Sequence, residues 1–207
     1  MVAEECNLAQ SGDRTESERI GLFGGSFDPI HSGHLLIAMA AVEEMRLDKV
    51  YFIPAAQSPF KPRDLMASPQ QRVRLLRLAL AGKSHYEVDC QEVDRGGVSY
   101  AIETVSNYVR RFAGAELFFL LGADHLELLP KWRDAHDLAA LIEFVVVPRP
   151  GLAVQSTPTG FRIHRLKGFS AAISSSEIRA RVQAGLPIDA LVPREIAEAV
   201  REDGLYL

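Results

Sequence analysis

The sequence predicts an α/β fold: a Rossmann-like, doubly wound parallel sheet in a single domain, with a small C-terminal helical part. Three observations carry this. The apolar runs IGLFG, KVYFIPA, AELFFLLGA and IEFVVV are near-continuous, as strands buried on both faces of a parallel sheet are. Segments with helical apolar spacing alternate with them. The first run ends in glycines just ahead of a helix, the place where such sheets bind ligands, outside the carboxyl ends of the strands.

The elements follow in order. Residues 20–24 are the first strand. Leu35, Ala38, Met39, Val42 and Met45 recur at helical spacing and predict a helix over about 33–46. The second strand is 49–55, closed by Pro54. The loop AQSPFKPRDLMA carries Lys61 and Arg63. Ser68 then caps a helix reaching about 81, with Pro69 at its first position and Gln71 completing a capping box. YEVDCQEV alternates and reads as a strand. Ser99 is positioned to cap a helix through 112, whose apolar face is Ile102, Val105, Val109 and Phe112. The run 115–123 is the strongest buried strand. Short helical stretches surround HLELLPKW and 134–141. Strands are expected at 142–150 and 161–166, helices at 174–184 and 193–202.

Composition narrows the class. The chain has 207 residues, 47% hydrophobic and 24% charged, with a net charge of −4. That balance offers no basic surface for nucleic acid. No apolar run reaches the ~20 residues of a membrane span. Cys6 and Cys90 fit neither a metal site nor a disulfide framework. Residues 1–19 are polar and lack the apolar segment of a signal peptide. They read as a flexible tail on a domain spanning 20–207, in a cytoplasmic protein. A homo-oligomer is compatible with the sequence, which does not specify the state.

The stretch GGSFDPIHSGH lies where the first strand becomes a helix. It is neither a G-x-G-x-x-G fingerprint nor a Walker A loop. Gly24, Gly25 and Ser26 still let backbone N–H groups come close to a phosphate. Asp28-Pro29 makes a turn. His31 and His34, three apart, share a helix face if the helix has begun, at the positive end of its dipole. Gly33 leaves room between them. Such a pair suits a phosphate that gains charge in a transition state. Zinc needs a third ligand, and no Cys or carboxylate is suitably near in sequence. A purely structural pair is the remaining alternative.

A second stretch, ISSSEIRAR, opens a helix. Ser174 and Glu177 form a capping box, Ser175 and Ser176 add donors, and Arg179 offers a guanidinium fork one turn in. Taken alone this is a capped surface helix.

Together the two stretches resemble the HxGH and ISSTxIR signatures of the nucleotidyltransferase superfamily, and GGSFDPIHSGH is most similar to bacterial nicotinate-nucleotide adenylyltransferases. VSYAIETV, LLGADHLELLPKW and the terminal GLYL resemble further segments of that family in order, so the likeness covers about 20–207. It implies transfer of the adenylyl group of ATP to nicotinate mononucleotide, with Mg²⁺ accompanying ATP. The resemblance implies that His31, His34, Lys61 and Arg179 act on the phosphates. It places ATP against Gly24, Gly25, Ser26, Phe27, Gly122, Asp124, Ile173, Ser174, Ser175 and Ser176. It places the acceptor against Tyr100, Ala101 and Trp132. Without it, Asp124 reads as a helix cap and Trp132 as core. Two departures stand out. Phe60 lies beside Lys61 where the family often has His, and Ala101 stands where it often has Thr. Alternatives are the same transfer to nicotinamide mononucleotide or phosphopantetheine, or a non-catalytic nucleotide sensor. No protein metal ligand is predicted.

Overall fold

The computed structural model describes residues 17–59, 66–147, 156–169 and 172–207. Among them, six strands form one parallel sheet: β1 (Arg19–Gly25), β2 (Lys49–Pro54), β3 (Tyr86–Val88), β4 (Glu116–Gly122), β5 (Glu143–Val147) and β6 (Ile163–Arg165). Their order is β3-β2-β1-β4-β5-β6. The chain starts at the centre, winds outward to β3, then returns to pair β4 with β1 and winds the other way. This is the doubly wound arrangement the apolar runs predicted.

The helices are α1 (Ser32–Met45), α2 (Pro69–Leu80), α3 (Gln91–Arg95), α4 (Ala101–Arg111), α5 (Ala135–Leu141), α6 (Ser175–Gln183) and α7 (Arg194–Glu202), with a 3₁₀ segment at Ala123–Lys131. Register puts Phe23 beside Phe52 and Leu120, and Leu22 beside Tyr51 and Phe119. The period-two alternation therefore builds two cores. Phe23, Phe52 and Leu120 pack against Ala38 and Ala41 of α1, Leu75 and Leu76 of α2, Ile178 of α6 and Val200 of α7. Leu22, Tyr51 and Phe119 pack against Val105 and Tyr108 of α4 and Leu138 of α5. Burying one such Leu or Phe contributes about 1.5–3 kcal/mol, so both faces hold the sheet. The C-terminal helices join the first of these cores. No helix of the described residues is long and apolar enough to cross a membrane.

Several local expectations change. β1 begins one residue early, at Arg19, whose backbone N–H donates to Asp48 Oδ2 (2.8 Å). The strand expected over YEVDCQEV stops at Val88, because Asp89 Oδ1 accepts from the Gln91 N–H (2.9 Å) and turns the chain into α3. Ser68 and Gln71 form the expected reciprocal capping box. Ser99 does not cap α4; Tyr100 holds that position without a side-chain bond. The Ser99 hydroxyl instead accepts from the Ala56 N–H (3.0 Å), tying the start of α4 to the loop after β2. Cys6, Phe60 and Lys61 lie outside the described residues.

Candidate active site

The reversal of strand order between β1 and β4 leaves a crevice at their carboxyl ends. A cavity of about 750 Å³ occupies it. Its wall takes residues from the β1–α1 turn, the start of α4, the end of β4 and the start of α6. All the expected site residues among those described line this one cavity.

The histidine pair has an arrangement that spacing alone did not specify. His31 is the N-cap of α1, not a residue of the helix, and His34 is its third residue. The His31 Nδ1 accepts from the His34 N–H, and the His34 Nδ1 accepts from the His31 N–H, both at 3.3 Å. Two imidazoles thus form a capping box, a role usually taken by Ser or Thr with Glu or Gln. Their rings stack with centroids 3.7 Å apart. Because each Nδ1 is an acceptor, the neutral rings carry their protons on Nε2, the opposite edge. Two parallel N–H donors are thereby set at the helix N-terminus. Gly33 is required by this stacking: a Cβ there would lie 3.0 Å from His31 Nδ1. Phe27, with φ of 48°, is 1% exposed. Its ring packs edge-on to Phe23 and His34, so it backs the histidine and leaves only its backbone for a ligand. Gly25 makes room for that ring, since a Cβ there would lie 3.0 Å from it.

The start of α6 is stitched to the same turn. The Ser174 hydroxyl accepts from the Glu177 N–H (3.2 Å), but the return bond of the expected capping box is absent. The Ser175 hydroxyl donates to the Pro29 carbonyl (2.9 Å). Arg179 Nη1 donates to the Asp28 carbonyl (2.8 Å), and its Nη2 to the Ser176 hydroxyl (3.4 Å). Arg179 is therefore a docked cation on the cavity wall and not a solvated one, which sets aside the surface-helix alternative.

On the far side, Gly122 holds the N-cap of the 3₁₀ segment and no side chain caps it, so Asp124 is not the cap. Trp132 is half-buried, edge-on to Phe119 and Phe144, and still borders the cavity beside Tyr100 and Ala101. Arg133 lies 4.6 Å over the Tyr100 ring and donates to Glu103 Oε1 (3.0 Å). Behind Ala101, Glu92 is buried and accepts from the Thr104 hydroxyl (2.5 Å). Burial raises its carboxyl above the usual range, against the opposing pull of its Thr104 and Ser99 bonds. Among the described residues no group of three His, Cys, Asp or Glu side chains could hold a metal.

Residues 22–181 match the cytidylyltransferase-like family model. A protein of Opitutus terrae named "Probable nicotinate-nucleotide adenylyltransferase" is 41% identical over 190 residues, covering 91% of this chain and 97% of that one. The nicotinate-nucleotide adenylyltransferase of Bacillus subtilis is 38% identical over 189 residues, covering 91% and 98%. The chain belongs to the nicotinate-nucleotide adenylyltransferase family. The fold agrees: the Plasmodium falciparum nicotinic acid mononucleotide adenylyltransferase, solved with NaAD, superposes with a TM-score of 0.72 at 16% identity, covering 91% and 97%.

Within this member of the nicotinate-nucleotide adenylyltransferase family, sequence reading missed a buried layer beneath the site. Asp28 reads there as a turn residue, Arg72 falls in a predicted helix with no role of its own, and Tyr206 is part of a terminal tetrapeptide. None carries a periodic or motif signal for burial, because each is buried by a partner distant in sequence.

Proposed function

We propose that this adenylyltransferase joins nicotinate mononucleotide to the adenylyl group of ATP, forming the deamido dinucleotide and pyrophosphate, a step of NAD biosynthesis in the cytoplasm. The observation that supports the residue assignment is the reciprocal histidine cap, on the wall of a cavity that Arg179 and the serine-rich start of α6 also line. A phosphate oxygen of the mononucleotide attacks the α-phosphorus of ATP. The bond from that phosphorus to the bridging oxygen breaks, and pyrophosphate leaves. The attacking oxygen is already anionic, so no general base is needed, and catalysis is positioning plus charge stabilisation. His31 and His34 hold α-phosphate oxygens as charge develops. Arg179, with Lys61 from the segment after β2, holds the β- and γ-phosphates, and the first-turn N–H groups of α6 add donors. The triphosphate would carry Mg²⁺ with it, and the ion would supply charge neutralisation with few or no protein ligands. Gly122 and Asp124 meet the adenosine.

The acceptor lies against Tyr100, Ala101 and Trp132. The Ala101 and Ile102 N–H groups open α4 ahead of its first intrahelical bond, which Glu103 makes to the Tyr100 carbonyl (3.1 Å). They favour a carboxylate there over a carboxamide, even though Ala101 supplies no hydroxyl. Trp132 stacks on the pyridine ring. The test is a panel of nicotinate mononucleotide, nicotinamide mononucleotide and phosphopantetheine with Mg-ATP, scored by pyrophosphate release. Fastest release with the nicotinate form supports the reading. Release that prefers another acceptor transfers the assignment to that acceptor, and no release with any acceptor leaves a nucleotide-binding protein without transfer.

A further inference from the structure

The turn that presents the histidines rests on a buried charged layer that begins at the cavity wall, where Asp28 and Arg179 lie, and runs behind it to Arg72 and Tyr206. Asp28 is 1% exposed. Its Oδ1 accepts from the Ala67 N–H (3.1 Å) and from the Tyr206 hydroxyl (2.9 Å), and its Oδ2 accepts from the Met66 N–H (2.9 Å). Its carbonyl takes Arg179 Nη1, which also lies 3.8 Å from Oδ2. Arg72, fully buried, donates through Nη1 to the neighbouring Ser26 carbonyl (2.7 Å). One carboxylate therefore joins four parts of the chain: the β1–α1 turn, the residues that follow the Lys61 segment, α6 and the C-terminus.

Tyr206 does not line the cavity, and it is 5% exposed. A buried carboxylate is retained only when its oxygens are saturated with donors. Among the described residues Tyr206 supplies the one side-chain hydroxyl that donates to Asp28, and burial beside that carboxylate keeps the phenol protonated. We propose that Tyr206 is a positioning residue for adenylyl transfer: by hydrogen bonding Asp28, the C-terminus holds Arg179 in register with the His31–His34 pair. The inference deepens the reading above and rests on it for the roles of Arg179 and the histidines. It predicts a defect confined to the ATP side. Tyr100 and Trp132, against which the acceptor lies, border the cavity from the start of α4 and the end of the 3₁₀ segment, whereas Arg179 is bonded to this layer directly.

The experiment is Tyr206→Phe, which removes one oxygen and keeps the ring. It is assayed well below its melting temperature. Displacing positioned groups by a fraction of an ångström to an ångström costs up to about a hundredfold, so kcat/KM for ATP is expected to fall about ten- to a hundredfold. KM for nicotinate mononucleotide should stay within about twofold, the split that separates lost positioning from general damage. In an Arg179→Lys background the same change should cost no more than about threefold, because the group it positions is already gone. Asp28→Asn is the second variant. It keeps an acceptor for Tyr206 but turns an amide N–H₂ toward the Met66 N–H and removes the charge facing Arg179. It should reproduce the ATP-side defect, and so it tests the layer if the Phe variant does not fold. A normal ATP side in either folded variant, equal losses on both substrates, or additive losses with Arg179→Lys overturn the proposal. Binding of Mg-ATP is followed by calorimetry in parallel. If the unaltered enzyme transfers nothing to the nicotinate acceptor, the acceptor reading has failed. Weaker Mg-ATP binding in Tyr206→Phe then still supports the positioning role, and unchanged binding refutes it.

Discussion

His34→Ala removes two things at once, and the structure separates their sizes. The first is the Nε2 donor aimed at the α-phosphate. Deleting one preorganised donor to a transition state costs about 10²–10³ in rate, or about 2.7–4 kcal/mol. The second is half of the capping box, since the His34 Nδ1 no longer accepts from the His31 N–H. Losing a cap interaction costs about 0.5–2 kcal/mol of stability. For a chain of this size each kcal/mol lowers the melting temperature by about 2–4 °C. The variant should therefore fold, melt a few degrees lower, and turn over about 10²–10³ more slowly at a temperature where it is fully folded. His34→Gln divides the effects. Gln is the ordinary third-position partner in a capping box. With its Oε1 on the His31 N–H, the melting temperature should return toward the parent value. The rate should recover only in part, because the Gln amide N–H₂ is a donor on a flexible chain and not on a stacked ring fixed at the helix N-terminus. Turnover is read by coupled pyrophosphate release at saturating Mg-ATP and nicotinate mononucleotide, and melting by calorimetry. Turnover within about threefold of the parent in the folded Ala variant would refute the assigned role. Full recovery of rate with Gln would show that any donor held on the cap serves, and would refute the need for an imidazole at this position.

Arg179→Lys keeps the charge but loses the fork that now spans the Asp28 carbonyl and the Ser176 hydroxyl; ATP affinity should fall about tenfold with little change in melting temperature, and unchanged affinity by calorimetry would return Arg179 to a structural role. In direct competition the enzyme should favour nicotinate over nicotinamide mononucleotide by roughly ten- to two-hundredfold, the equivalent of about 1.5–3 kcal/mol for a charge-assisted bond. Trp132→Ala should raise KM for both acceptors alike and Ala101→Thr should widen the acid preference; a Trp132→Ala variant that alters only the ratio counts against ring stacking. Burial raises the Glu92 carboxyl in the folded state, so the native protein holds that proton more tightly than the unfolded chain does. Its contribution to stability is present below the usual glutamate value and is lost as pH rises through the raised one. Glu92→Gln should flatten the melting-temperature profile across that window, and an unchanged slope would assign the dependence to other groups.

The chain's own order of residues determined the fold class and the place of the site. Apolar runs of strand length, separated by helical spacing, can be satisfied by a parallel sheet covered on both faces. A glycine-rich turn between the first strand and its helix then marks the crevice. Caps were legible where side chain and backbone partner are three residues apart, as with Ser68 and Gln71. Local sequence decided less where a longer-range bond competed: Ser99 left its helix to bind Ala56, and Ser175 donated its hydroxyl to Pro29. Only the tertiary structure decided that the two histidines cap the helix with each other, which leaves Nε2 as the protonated nitrogen of each neutral ring. Only the tertiary structure placed Tyr206 on Asp28, 178 residues away. The physical reason is common to these cases. Periodicity and spacing report which face of an element is buried, while the partner of a buried polar group is chosen by whichever distant donor or acceptor the packed elements bring within about 3 Å.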